Sequence, residues 1–286
     1  MQHPPLRRSE SHATGTRGST LFRRSWLPEN PERAVLVVHG LAEHSGRYEG
    51  LAAWFAERGC AVHAYDHQGH GRSSGTRCHV RRFDDLLDDL DQSLNWVRAE
   101  HPDLPIFLVG HSMGGLIVAA LVVERRPEVA GAVMSGAALA VERSLSPARA
   151  IAVRVLSAVA PRLSFPSGLD PNGLSRDPEV VRAYLEDPLV HLRLTVSLAA
   201  GLASASRRTA SAGARVGIPL LILHGEADPI CPVDGSRAFH AQVSVPGTRL
   251  HVYPKLRHEI FNEPERETVF QNMLDWLAER KPRVAA

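Results

Sequence analysis

Residues 106–121 read IFLVGHSMGGLIVAAL, and they set Ser112 between glycines where strand-like residues give way to helix-like ones. A serine hydroxyl is a weak nucleophile at neutral pH, so covalent chemistry on it needs an adjacent base and a group that orients the base. The chain holds two matches to G-x-S-x-G. One is centred on Ser112; the other, GRSSG at 71–75, is centred on Ser73. A nucleophile elbow needs a strand, a tight turn and then a helix, which lifts the hydroxyl onto a strained turn above the sheet. Ser112 has that context. Ser73 follows the polar stretch DHQGHG and precedes TRCHVRRF, where no apolar helix opens, so it reads as a residue of a glycine-rich loop.

In the strand–turn–helix setting the triad order along the chain is serine, then acid, then histidine. LLILHGEADPICP offers Asp228 just beyond an apolar strand, with Glu226 as the reserve acid. LHVYPKLRHEIFNEP offers His258 in a loop ahead of the last helix, whereas His251 falls inside the strand and reads as a packing residue. An acyl-transfer site also needs donors for the developing oxyanion. The backbone N–H of Met113 is one candidate, and that of Leu41, after the first long apolar strand, is the other. His63, His67 and His70 lack a carboxylate or cysteine at familiar zinc spacing, so no metal site is assigned. There is also no phosphate-cradling or dinucleotide fingerprint, and no cofactor is expected.

These residues need a scaffold. AVLVVHG (34–40), CAVHAYD (60–66), PIFLVG (105–110), VAGAVMSGAA (129–138) and PLLILHG (219–225) are apolar throughout, as strands buried on both faces are. TRLHVYP (248–254) adds a further strand. Between them lie amphipathic stretches, for example 83–100, with Phe83, Leu86, Leu87, Leu90, Leu94 and Val97 on one side. The pattern predicts an α/β fold, a mostly parallel central sheet flanked by helices, with ligands outside the carboxyl ends of the strands. The alternation breaks between 141 and 213, which hold two helix-like runs (148–163 and 189–206) around a Pro/Gly-rich stretch. This segment reads as an inserted helical cap over the site, against the plainer alternative of two sheet-packing helices with long loops. Residues 14–140 and 214–286 are then the core, STLFRRSW within it an edge strand or hairpin arm, and 1–13 a disordered lead-in.

The chain has 286 residues, is 44% hydrophobic and carries a formal net charge of +2, too mild to suggest nucleic acid as a partner. Three widely spaced cysteines (Cys60, Cys78, Cys231) imply no disulfide framework. Lacking an apolar stretch long enough for a span or a signal peptide, the chain is expected to be soluble and cytoplasmic, with peripheral contact to a lipid surface left open.

With these pieces placed, HGLAEHSGRY, DHQGHGRSSG, GHSMGG, LSRDPEVVRAY, HGEADPICP and RHEIFNEPER resemble the monoglyceride lipase and lysophospholipase branch of the α/β-hydrolase family, over about residues 17 to 280. The resemblance implies an α/β-hydrolase fold with a cap. It implies a triad of Ser112, Asp228 and His258, an oxyanion hole at Leu41 and Met113, and hydrolysis of a monoacylglycerol, a lipid ester. It also implies that Glu43 and Arg47 are a polar pair at the glycerol end of the pocket, the alternative being a surface salt bridge between them. Cys231 is similar to a thiol near the pocket in some relatives; on its own it reads as a small buried residue. Ala42 stands where relatives often carry glycine. The rival functions are a lysophospholipase or carboxylesterase of the same fold, or a non-catalytic ligand-binding protein built on it.

Overall fold

The computed structural model describes residues 6–140 and 147–280. The strands are β1 (Arg7–Thr14), β2 (Thr20–Leu27), β3 (Arg33–Val38), β4 (Cys60–Tyr65), β5 (Ile106–His111), β6 (Gly131–Ser135), β7 (Ser164–Pro166), β8 (Arg193–Thr195), β9 (Leu220–Gly225) and β10 (Arg249–Tyr253). The α-helices are α1 (Glu49–Ala56), α2 (Phe83–Glu100), α3 (Met113–Glu124), α4 (Pro147–Val159), α5 (Pro178–Glu186), α6 (Val196–Ala210), α7 (Val233–His240) and α8 (Arg266–Ala278).

Eight strands form one sheet in the order β1-β2-β4-β3-β5-β6-β9-β10. From β4 to β10 every pairing is parallel; β1 and β2 join antiparallel at one edge. The alternation of side chains across each strand divides the core in two. Ala34, Leu36, Val38, Leu108, Met134 and Ile222 face α2, α3 and α6. Val35, Val37, Val109, Val133, Leu221 and Leu223 face α1 and α8, where Phe55, Phe270 and Trp276 fill the space. Helix α3 is buried at every position from Met113 to Val123, which explains an apolar run with no polar face.

Two features of the chain differ from their sequence reading. The first thirteen residues are not simply a disordered lead-in: Arg7–Thr14 pairs with β2 residue for residue, from Arg7↔Leu27 to Thr14↔Thr20. Its side chains are almost all exposed, so it carries no apolar period, and backbone hydrogen bonding makes the strand. Within 141–213, the run 189–206 is not one helix. Arg193–Thr195 pairs with Ser164–Pro166, and the Thr195 hydroxyl then caps α6 by accepting from the Leu198 N–H. A third helix, α5, begins where Asp177 accepts from Glu179 N–H with Pro178 in the first turn. The first described element of this segment, α4, packs against α6, away from the sheet.

Five of the buried histidines are held neutral by this frame. His39, His67 and His70 cluster, with ring centroids 4.2–6.0 Å apart. His63 stands apart from them, bonded to Ser25 and His101. Burial, the largest cause, pushes His70 down to about 4 and His63 and His111 to about 3, and holds His39 and His67 well below the ordinary value. The unfolded chain protonates these rings near pH 6.5 while the folded chain stays neutral. Their contribution to stability is therefore complete above that pH and is lost as pH falls toward 3–4, at about 1.4 kcal/mol per pH unit for each ring. Thermal unfolding followed by circular dichroism is expected to show the midpoint falling by roughly 10 °C or more between pH 7 and 5. A midpoint independent of pH over that range would contradict this account.

Candidate active site

Ser112 sits between β5 and α3 with φ 54° and ψ −116°, a conformation that side-chain-bearing residues rarely adopt. The turn is possible because its neighbours are glycines. A Cβ on Gly114 would lie 2.0 Å from the Val38 carbonyl oxygen, and one on Gly110 would lie 2.4 Å from the Gly114 oxygen. The Ser112 N–H donates to the Ser135 carbonyl at 2.9 Å, which fixes the elbow to the end of β6. Strain of this kind persists only where the surroundings over-determine it, and it concentrates at functional positions.

Ser73 has the opposite character. It is 3% exposed, its hydroxyl donates to the Asp66 carbonyl at 2.6 Å, and it accepts from the Phe22 N–H at 2.8 Å. The glycine-rich loop around it is anchored by the Asp66 carboxylate, which accepts from Ser45 N–H, Ser45 hydroxyl and Arg72 N–H. That anchor also ties the loop to the 39–48 segment.

Asp228 and His258 come from the loops after β9 and β10 and meet at 2.7 Å between Oδ2 and Nδ1. Since a carboxylate accepts, Nδ1 carries the hydrogen and the lone pair is left on Nε2. Asp228 Oδ1 accepts the N–H groups of Ile230 and Cys231. Burial opposes the charge on Asp228, but hydrogen bonds from His224, His258 and the Cys231 N–H outweigh it and hold the carboxyl well below the usual range. The His258 ring lies against Gly136, next to the residue that receives the Ser112 N–H. The Cys231 thiol lies beside Ser112, while burial and then the Asp228 charge push it up and keep it protonated. Glu226, the reserve acid, is exposed and lies toward Arg237, and His251 is in β10.

The 39–48 segment packs directly on the nucleophile: a Cβ on Gly40 would lie 3.2 Å from that of Ser112. Leu41 is half-buried beside it, and Met113 opens α3, where a backbone N–H has no intrahelical acceptor. Ala42 holds φ 64°, so the left-handed turn favoured by glycine is kept with alanine, at a cost of about 1–2 kcal/mol.

Glu43 and Arg47 are paired at 2.9 Å, and both are buried. Glu43 Oε1 also accepts from the Gly40 N–H at 2.6 Å and the Tyr48 hydroxyl at 2.7 Å, so its polar contacts support the loop. The third member of the group is Glu259, which follows the base and grips Arg47 with both oxygens, at 2.5 and 2.8 Å. Burial raises both carboxyls. At Glu259 the bidentate contact to Arg47 overcomes it and holds that group low, whereas Glu43, with one contact to Arg47 and Glu259 as a charged neighbour, stays raised. Tyr184 of α5 covers the guanidinium, 4.6 Å from ring centre to Cζ. Glu259 carries no motif of its own; its place next to His258 was the available signal.

The inserted segment is stitched to the base loop. His258 N–H donates to the Gly173 carbonyl and Glu259 N–H to that of Leu174, while the Arg257 side chain reaches the carbonyls of Asn172 and Ser175. Thr195, Ser197 and His191 bond to Cys78, Val80 and Ala42. Residues 172–175 are thus bonded to the loop that carries His258, and residues 191–197 to the 42 and 78–80 stretches.

A strained serine turn at the carboxyl end of a parallel sheet, with a bonded histidine–aspartate pair from the loops after later strands, is the arrangement of hydrolases with the α/β-hydrolase fold. Residues 29–265 match the family described as serine aminopeptidase, S33 (Hydrolase_4), and the chain belongs to that family. It is 38% identical to a monoacylglycerol lipase of Mycolicibacterium smegmatis, over 94% of this chain and 97% of the relative. It is 35% identical to the monoglyceride lipase of Homo sapiens, over 94% and 90%. The crystal structure of a monoacylglycerol lipase from Paleococcus ferrophilus superposes with a TM-score of 0.80 at 33% identity, covering 96% of this chain and 99% of that one.

Replacing Arg47 with methionine removes the cation that Glu43 and Glu259 share and leaves their two buried carboxylates without it. Loss of one partner of a buried ion pair costs about 3–5 kcal/mol. R47M is expected to lose that much in denaturant unfolding, with E43Q recovering part of it in the double variant; stability unchanged in R47M would refute the clamp.

Proposed function

We propose that this chain hydrolyses monoacylglycerols to glycerol and fatty acid through an acyl-enzyme on Ser112. What supports the reading is the strained backbone at Ser112 and the 2.7 Å His258–Asp228 bond. His258 Nε2 takes the Ser112 proton as Oγ attacks the acyl carbonyl, and returns it to the departing glycerol oxygen. Asp228 stays ionised and stabilises the imidazolium. The backbone N–H groups of Met113 and Leu41 receive the oxyanion, each worth about 2.7–4 kcal/mol in the transition state. Water then attacks the acyl-enzyme, with His258 acting as base again.

The substrate class comes from the monoacylglycerol lipases to which the chain is similar over nearly its whole length. A peptidase reading that takes a free substrate amine needs an available carboxylate, and the two glutamates beside the site are engaged with Arg47. In the ester reading Glu43 and Arg47 shape the glycerol end by holding the 39–48 loop in place.

The segment at 141–213 acts as the cap. The outer face of α4 and the turn after it presents Ile151, Val155, Val159 and Leu163, between 52% and 73% exposed. Such a face suits contact with a lipid surface, from which a monoacylglycerol would be drawn. Among the described residues no helix is long and apolar enough to cross a membrane, so the contact proposed is peripheral.

A fluorophosphonate is expected to label the peptide containing Ser112, and S112A to lose about a million-fold in kcat. Each buried methylene adds roughly 0.8 kcal/mol of binding, so rates on monoacylglycerols should rise with acyl length until the pocket is full. A maximum at the shortest acyl chains would instead mark a small-ester carboxylesterase. For the cap, V155D/V159D is expected to reduce co-sedimentation with phosphatidylcholine vesicles while leaving hydrolysis of a soluble short-chain ester intact. Equal vesicle binding by variant and parent would remove the lipid-surface role.

A further inference from the structure

His224 ends β9 one residue before Gly225, and its side chain is fully buried. Its Nε2 is 2.8 Å from the Cys231 carbonyl oxygen and 3.2 Å from Asp228 Oδ2, the oxygen that also receives the His258 Nδ1–H. A carbonyl and an ionised carboxylate can only accept, so Nε2 carries the hydrogen. On the other side of the ring Nδ1 lies 2.7 Å from the Ser236 hydroxyl of α7, which donates to it. The two acceptors at Nε2 fix the hydrogen there, and the Ser236 hydroxyl, able to donate or accept, completes the contacts of the ring at Nδ1.

We propose that His224 is a positioning residue of the triad: its Nε2–H, shared between the Cys231 carbonyl and Asp228 Oδ2, holds the carboxylate ionised and turned toward His258. Without this donor Oδ2 has only His258, and a carboxylate so placed is free to rotate about its terminal torsion. The Cys231 carbonyl contact adds register, because Cys231 N–H binds the other carboxylate oxygen and its thiol touches Ser112. One imidazole thus braces acid and nucleophile together. The proton in flight moves from Ser112 Oγ to His258 Nε2 and on to the leaving oxygen, and its path does not include His224.

The other titratable groups around this unit do not substitute for the bond. From the 228–231 loop comes the Cys231 thiol, pushed up by burial and neutral. From β5 comes His111, its ring 4.7 Å from that of His258 and pushed down to about 3 by burial, also neutral. Glu259 and Arg47, which act on His111, are paired with each other. Taking away the His224 N–H leaves the acid–base pair with one donor fewer to its negative charge. The pair then binds a proton more readily, and the acid limb of the rate profile moves to higher pH.

The inference rests on Asp228 being the triad acid. Against a monoacylglycerol, H224L is expected to lower kcat about tenfold with KM little changed, and to move the acid limb of kcat/KM up by roughly half to one pH unit. H224Q supplies an amide N–H and a carbonyl with similar reach and is expected to keep both close to the parent values. H224N keeps the amide but is shorter; it is expected to behave like H224L, and it decides the matter should H224L not fold. A parental pH profile and kcat in H224N, or a loss in H224Q as large as in H224N, would overturn the proposal. D228A is the control: if it keeps parental activity the triad reading itself has failed, whereas activity lost in D228A but retained in H224L and H224N removes only the role of His224.

Discussion

A carboxylate taken out of water is unstable unless donors surround it, and the catalytic rim is arranged around meeting that demand at Asp228. Two backbone N–H groups hold one oxygen and two imidazoles face the other. Those donors come from the end of β9, from the loop after it and from the loop after β10. The charge therefore draws into one place stretches of chain that share little else. Cys231, on the same loop, brings its thiol beside Ser112. The serine's strained backbone is a consequence of the same economy of space: α3 must start close against the end of β3 for the elbow to form, and only glycine permits that approach.

A second buried charge does for the loops what Asp228 does for the triad. Arg47 stands between Glu43, which holds the Gly40 N–H, and Glu259, the residue after the base. Its ring neighbour, Tyr184, belongs to the inserted segment. The segment beside the nucleophile, the base loop and the cap thus meet on one guanidinium. A planar cation with several fixed donors suits this junction better than a lysine would, because it can bind one carboxylate with two parallel bonds and still reach another.

What the residues revealed in advance follows from which forces leave a periodic mark. Strands β3 to β6 and β9 are buried on both faces, and their unbroken apolar runs were readable as such. Ser112 was separable from Ser73 because an elbow requires apolar elements on both sides, while Ser73 bonds only backbone groups of its own neighbourhood. Asp228 and His258 were expected from chain order and the ends of strands, and the structure brings the two side chains to 2.7 Å. Strand β1 was hidden because an exposed edge strand is held by its backbone, which leaves no pattern in the side chains. Helix α5 did carry a signal, Asp177-Pro178 ahead of Val180, Val181 and Tyr184, but it is short and mostly exposed. Glu259 left only its place next to His258 as a signal, because its partner Arg47 is distant in the chain, and His224, whose partners lie within twelve residues of it, reads by itself as one more residue of an apolar strand.

The bonds from His258 and Glu259 to the carbonyls of Gly173 and Leu174 have a bearing on how this chain and its relatives diverge. Residues 172–176 belong to the insertion by sequence but to the base loop by contact, so the two cannot vary independently. A graft that exchanges only 141–213 between homologues would carry half of a joint and leave the other half behind. The transferable module is the insertion together with 257–263, and substitutions fixed in one of these stretches constrain what the other can accept.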